Sequence, residues 1–333
     1  MSGTAAEHPF APYVRILGKG KTGTRSLDYD EARTAFGMVL DGAVEPLQLG
    51  AFLMLLRVKE ETPEELAGFV AACRAYAGDP PAAAVDLDWS SYAGKRAQHP
   101  WYLLSALLLA SRGIRVFMHG SDGHTPGRAY SEATLAALGV TPARDIKDAT
   151  TRLATNGFAY LPLRHFCKPL DDLMQLKPVL GLRSPVNTLA RMLNPLRAPY
   201  SIQSVFHPNY AALHTGTDAY LKQPHSLVFK GEGGEVEIKP HARTTCHWLR
   251  GDERSSLQWP RHFDGKPEPV TDPGPGALAG LWSGEANDRY GESAVVQTAA
   301  VALLLLERAQ TQVEAVALAR EFWDSRDPGQ LPC

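Results

Sequence analysis

Cysteine is scarce and scattered: the 333 residues hold four, Cys73, Cys167, Cys246 and Cys333, with no C-x-x-C pair. That leaves no disulfide framework and suits free thiols in a reducing, cytoplasmic setting. Long apolar runs are missing as well. The longest, near Trp101–Ala110 and Ala299–Leu306, fall short of a bilayer span, and the N-terminus shows no apolar export core, so no membrane partner is expected. Net charge is almost absent, 34 Lys and Arg against 36 Asp and Glu, so any electropositive surface must be local. There is no G-x-S-x-G elbow for a nucleophilic serine, and His241, Cys246 and His247 fit neither a zinc finger nor an H-E-x-x-H helix. Neither a metal nor a cofactor is expected.

The charge that is present is unevenly placed. Gly157–Arg261 carries 13 Lys or Arg against 8 Asp or Glu, and His262–Cys333 carries 5 against 11, a basic middle and an acidic tail. The length suits one α/β domain with a helical subdomain. Met1–Pro12 reads as a loose arm. Asp28–Leu40, Pro46–Val58 and Pro63–Tyr76 read as amphipathic helices, the last opened by Thr62 as N-cap, Pro63 at the first helical position and acids in the first turn. This gives a helical subdomain over residues 1–84 and an α/β domain over residues 85–333.

In that second domain Val85–Trp89, a turn over Ser90–His99, a helix over Trp101–Ser111 and a strand over Ile114–His119 form a βαβ crossover. The loops at the carboxyl ends of such strands are where ligands bind. A diphosphate loop needs several glycines, and Ser90–Arg96 has only Gly94. Gly20-Lys21-Thr22 resembles the end of a Walker A loop, but Arg15 stands at the first glycine position and no strand precedes it. Further on, Ser131–Leu138, Asp145–Asn156, Asp171–Val179 and Val186–Leu193 read as helices. Phe158–Pro162, Ser201–Val205 and Ser226–Lys230 read as strands, with a helix over Pro208–Leu221. Gly231–Pro275 reads as irregular, with a hairpin around Glu235–Lys239, before closing helices at Glu292–Gln310 and Thr311–Ser325.

A series of segments then carries a resemblance: Leu49–Thr62, His119-Gly120, Leu135–Val140, Asn156-Gly157-Phe158, and Leu180–Arg183 leading to Asn187 and Asn194-Pro195-Leu196. In order and spacing they resemble the anthranilate phosphoribosyltransferase family, grouped with nucleoside phosphorylases in glycosyltransferase family 3, over nearly the whole chain. The resemblance implies an α+β fold: an α/β sheet domain with crossover helices plus a small all-helical N-terminal subdomain, joined in space by helices from about 170–197. It also implies a homodimer through that subdomain. The departures fall on the catalytic motifs. The family's Gly-Thr-Gly-Gly-Asp loop is Ser91-Tyr92-Ala93-Gly94-Lys95 here, its Asn-Ile-Ser-Thr segment is replaced around Pro100–Leu103, and its Lys-His-Gly-Asn-Arg segment is Met118-His119-Gly120-Ser121-Asp122. Its Asp-Glu metal pair becomes Val236-Glu237, and its anthranilate-facing arginine appears as Lys177. Lost cations and a gained acid oppose diphosphate binding. Ile16–Lys21, Ser91-Tyr92 with Gly94, and Gly181–Ser184 leading into Thr188–Ala190 resemble instead the non-biosynthetic YbiB-like branch, which implies DNA or RNA binding without sequence preference.

On this reading Lys177, Arg183, Arg191 and Arg197 form a cationic groove near the dimer interface, doubled by the second subunit. Tyr92 with Lys95 and Arg96 offers an aromatic ring beside cations, as on single-strand platforms, and Arg164 and Lys168 line the same cleft. Lys19, Lys21 and Arg25 read either as a phosphate-contacting arm or as a solvated loop. Ser91, Gly94, His119 and Gly120 mark a vestigial ligand cleft with no catalytic group assigned. Two alternatives stay open: a glycosyltransferase or phosphoribosyltransferase of a nucleoside-like or phosphosugar ligand, using His119, Lys95 and Arg183, and a protein that docks a partner through its acidic tail or Gly251–Pro275.

Overall fold

The computed structural model describes residues 6–82 and 84–331; Met1–Ala5 of the expected arm, and Cys333, lie outside these. The rest of that arm is not loose. Phe10 is fully buried, edge-on to Phe52, and leads into α1 (Ala11–Gly18). Then come α2 (Tyr29–Leu40), α3 (Pro46–Lys59) and α4 (Pro63–Ala77). Asp28 with Glu31, and Thr62 with Glu65, cap α2 and α4 reciprocally, satisfying N–H groups that a helix start otherwise leaves unpaired. Phe36, Phe52 and Phe69 meet in the centre of this bundle.

The second layer is built on β1 (Leu87–Ser91), α5 (Tyr102–Ala110), β2 (Val116–Gly120), α6 (Ser131–Ala137), α7 (Ile146–Asn156) and β3 (Phe158–Pro162). The chain then crosses back to the bundle through α8 (Lys168–Met174), α9 (Lys177–Leu180) and α10 (Val186–Leu189). Leu170, Leu173, Met174, Val186 and Leu189 lie in one hydrophobic cluster with the core residues of the bundle. The single helix expected over Asp171–Val179 is two short ones, because Pro178 restarts the helix after Met174. The chain returns as β4 (Tyr200–Val205), α11 (Tyr210–Tyr220), β5 (His225–Lys230), β6 (Thr244–Arg250) and β7 (Glu253–Trp259), and ends in α12 (Gly276–Ser283), α13 (Arg289–Leu305) and α14 (Gln312–Asp324).

The sheet runs β3-β2-β1-β4-β5-β6-β7, parallel through β5 and antiparallel thereafter. The α+β architecture is therefore as the sequence implies. Two elements differ from expectation. A hairpin exists, but at β6–β7 rather than Glu235–Lys239. Residues 235–238 run instead against α5 and α13, where Tyr102 N donates to Glu237 and Ile238 N donates to Thr298 Oγ1. α12, which begins directly after the irregular region, was not foreseen.

Chain direction across the sheet reverses between β1 and β4. That makes the carboxyl ends of these two strands, Ser91 and Val205, the topological switch point at which an open α/β sheet holds its ligands.

Candidate functional site

At the switch point the loop after β1 curls so that two successive N–H groups face the same point. Gly94 makes this possible with φ of 66°, in the left-handed region, and a Cβ there would come within 3.0 Å of Tyr130. Such paired amides form an anion nest. The nest is filled by the protein itself. Ala93 N and Gly94 N each donate to Glu235 Oε1 at 2.6 Å, and Ser91 Oγ donates to Oε2 at 2.9 Å. Two residues on, Glu237 takes the adjacent anion donors: Lys95 Nζ at 2.6 Å and the first helical N–H of α5, Tyr102 N, at 2.9 Å. Both carboxylates are buried, and burial holds them above the usual carboxylate range, opposed by the Arg191 charge at Glu235 and the Lys95 charge at Glu237. The turn that delivers them needs glycine at 231, where a Cβ would lie 1.7 Å from Glu235 O.

The loop is closed on its other side too. Arg128 Nη1 donates to Ala93 O and Gly94 O, both at 2.9 Å, and Arg191 Nη1 donates to Gly234 O at 2.8 Å and Ser204 O at 3.1 Å. At the family's metal pair, the Val236 side chain carries no oxygen and Glu237 is tied to Lys95 and Tyr102; among the described residues no three His, Cys, Asp or Glu side chains converge.

This geometry corrects several sequence expectations. Tyr92 is 1% exposed, its hydroxyl 2.7 Å from His119 Nδ1, so it cannot stack a base from solvent. Lys95 is equally buried in its ion pair and cannot reach a backbone phosphate. Arg191 is a buried clamp on carbonyls. His119 is fully buried, with Nε2 3.2 Å from Asp88 Oδ1, and Gly120 packs beside Ser91, so these mark the floor of the cleft rather than its surface. Arg164 is held bidentately by Glu132, Lys168 by Asp172 and Arg25 by Glu31, so each of these cations is already engaged by an acid. Lys19, Lys21, Arg96 and Arg197 are exposed, and Arg197 donates to Asn194 O at 3.1 Å. Lys177 and Arg183 are half-buried, and among the described residues neither has an acid within 4.0 Å.

Beside the filled nest lies open space. One cavity of about 580 Å³ is bordered by Arg96, Arg128, Tyr130, Asp122 and Asp272. A smaller one, about 140 Å³, lies between α3, the 183–191 stretch and the loop after β4, and no acid lines it. Sequence reasoning passed over its Arg57, Phe206, His207 and Tyr210. The signal available was Phe206-His207 directly after a parallel strand, where side chains point at a ligand.

The glycosyl transferase family's helical bundle domain matches residues 12–77 and its a/b domain matches residues 102–326. The chain belongs to the glycosyl transferase family. Within this family it is 32% identical to YbiB of Escherichia coli K12 over 236 residues, 68% of this chain and 72% of that protein. It is 34% identical to an anthranilate phosphoribosyltransferase of Methylocella silvestris over 196 residues, 57% of this chain and about half, 54%, of that enzyme's length. The fold matches the crystal structure of anthranilate phosphoribosyltransferase from Thermus thermophilus with a TM-score of 0.78, at 24% identity, covering 94% of each chain. None of the described helices is long and apolar enough to cross a membrane.

Proposed function

We propose that this glycosyl transferase family member binds DNA or RNA without sequence preference and has given up phosphoribosyl transfer, acting as a homodimer through its helical bundle. The observation that carries the reading is the nest itself. The N–H groups, lysine and helix start that would meet a diphosphate are already bonded to Glu235 and Glu237. An incoming diphosphate would have to displace two carboxylates and then sit in their place beside Asp122. Among the cations with no acid within 4.0 Å, Arg57, Arg183 and Lys177 lie outside that nest and suit a polyanion that needs only surface charge. Dimerisation is supported by large apolar side chains that the single chain leaves bare. Leu47 and Val58 on α3 are 89% and 84% exposed, and Val179 on α9 is 80% exposed. Size-exclusion chromatography with light scattering reports the mass directly, and a monomer at all concentrations would remove the dimer.

The functional test is anisotropy of a labelled single-stranded oligonucleotide at low and physiological salt, with phosphoribosyl pyrophosphate as competitor. Binding that falls with salt and ignores the competitor supports the reading. Displacement by the small phosphate would favour the second reading, a transferase of a nucleoside-like or phosphosugar ligand, for which the 580 Å³ cavity beside Arg96 and Arg128 provides the room. Absence of any oligonucleotide binding would end the first.

A further inference from the structure

Resting on the nucleic-acid reading, we infer that the cavity between α3 and the loop after β4 is a seat for one nucleotide of a single strand, its phosphate held by Arg57 and Arg183 and its base stacked on Phe206. The cavity measures about 140 Å³, below the roughly 300 Å³ at which pockets for whole small molecules begin. It has room for a phosphate group and part of a sugar. Its lining brings Arg57 and Arg183 together with Asn187, Thr188, Phe206 and His207, so hydroxyl and amide groups stand among the cations and no carboxylate does.

The two arginines reach it from different layers of the fold. Arg57 ends α3 and donates from Nη1 to Tyr210 Oη at 2.9 Å, bridging the helical bundle to α11. Among the described residues Arg183 makes a single side-chain hydrogen bond, to Thr125 Oγ1 at 3.4 Å, which leaves most of its five donors free. At the rim the Phe206 ring is 47% exposed, with His207 edge-on at 4.9 Å. A group small enough to enter is thus an anion, and the surface next to it is a bare aromatic face. A nucleotide joins an anion to a flat ring and so matches both features. The ring is available only to an unpaired base, which points to a single strand rather than a duplex.

The seat is tested with a labelled oligothymidylate and its abasic counterpart, against wild type, Phe206→Ala, Phe206→Leu, Arg57→Ala and Arg183→Ala. Phe206→Leu preserves apolar volume while removing the ring, so a loss shared by both Phe206 variants is not a packing defect. Removing the ring is expected to weaken oligothymidylate binding about 5- to 150-fold, leave the salt slope unchanged, and leave abasic binding unaffected. Each arginine change is expected to lower the magnitude of the salt slope by about 0.7 on both ligands. Arg254→Ala, on exposed β7, is the control and should bind as wild type. If wild type binds with its salt dependence intact and the Phe206 and arginine variants match it, the seat is wrong and the broader reading stands. Duplex competing as well as single strand also overturns the seat. If wild type binds no oligonucleotide, both fall together.

Discussion

Two anion-seeking regions lie side by side at the carboxyl ends of β1 and β4, and they differ in who supplies the anion. In the nest over Ser91–Lys95, Ala93 N, Gly94 N, Ser91 Oγ and Lys95 Nζ already bond to Glu235 or Glu237, and these groups are buried. In the cleft of Arg57, Arg183 and Phe206, cations and an aromatic face meet no carboxylate and remain open to solvent. The difference shows that paired backbone amides and a lysine can be satisfied by carboxylates of the same chain, while neighbouring cations with no such carboxylate keep their donors for an external anion.

The comparison breaks most visibly if the nest is not core. Lys95→Ala leaves Glu237 buried without its cation and is expected to cost about 3–5 kcal/mol in urea melts, whereas Lys95→Met with Glu237→Leu should recover most of that. A neutral single substitution would mean the pair is loose and the region still exchangeable. Glu235→Gln keeps the shape but points an NH₂ group at donors, and should cost about 1–3 kcal/mol in the same melts. On the open side, reversing Lys177 and Arg183 together to Glu should weaken oligonucleotide binding at least about tenfold and flatten its salt dependence, without moving the melting midpoint. Affinity that survives unchanged would put the binding face elsewhere.

The smallest expected effect is one of pH. Burial, reinforced by Glu132 and Glu235, raises the Asp122 carboxyl to about 7, while in the unfolded chain it titrates near its ordinary value of 3.8. The folded state therefore holds a proton the unfolded state releases. Stability from this group is complete below about pH 4 and is lost as pH rises through 7. Asp122→Asn should remove that decline. Because Asp122 borders the cavity with Arg96 and Arg128, its ionisation adds negative charge beside the cleft. Oligonucleotide affinity should then fall severalfold between about pH 6 and 8 in wild type and hold steady in the variant.

Much of the fold was legible because it rests on local signals. The Thr62–Glu65 cap, the apolar run of α5 and the short buried strands β1, β2 and β3 each announce themselves within a few residues. β7 was hidden because its residues are exposed on both faces, so E-R-S-S-L-Q shows no alternation to read. The site was legible only in outline. That Ser91–Lys95 lacks the glycines of a diphosphate loop could be read from its residues, but Tyr92 and Lys95 look like surface groups in sequence. What turns Lys95 inward is Glu237, 142 positions away, a pairing no local pattern contains. Arg57 and Tyr210, 153 positions apart, were missed for the same reason.

A site that carries its own anion also changes how the protein responds to its surroundings. A free ligand stabilises its receptor in proportion to the logarithm of its concentration, so an enzyme built on this scaffold feels how much phosphosugar surrounds it. Glu235 is tethered through the tight turn at Gly231, and its local concentration never dilutes. The loop after β1 is thus held by an anion that the chain itself supplies, and that share of its stability belongs to the chain rather than to the medium.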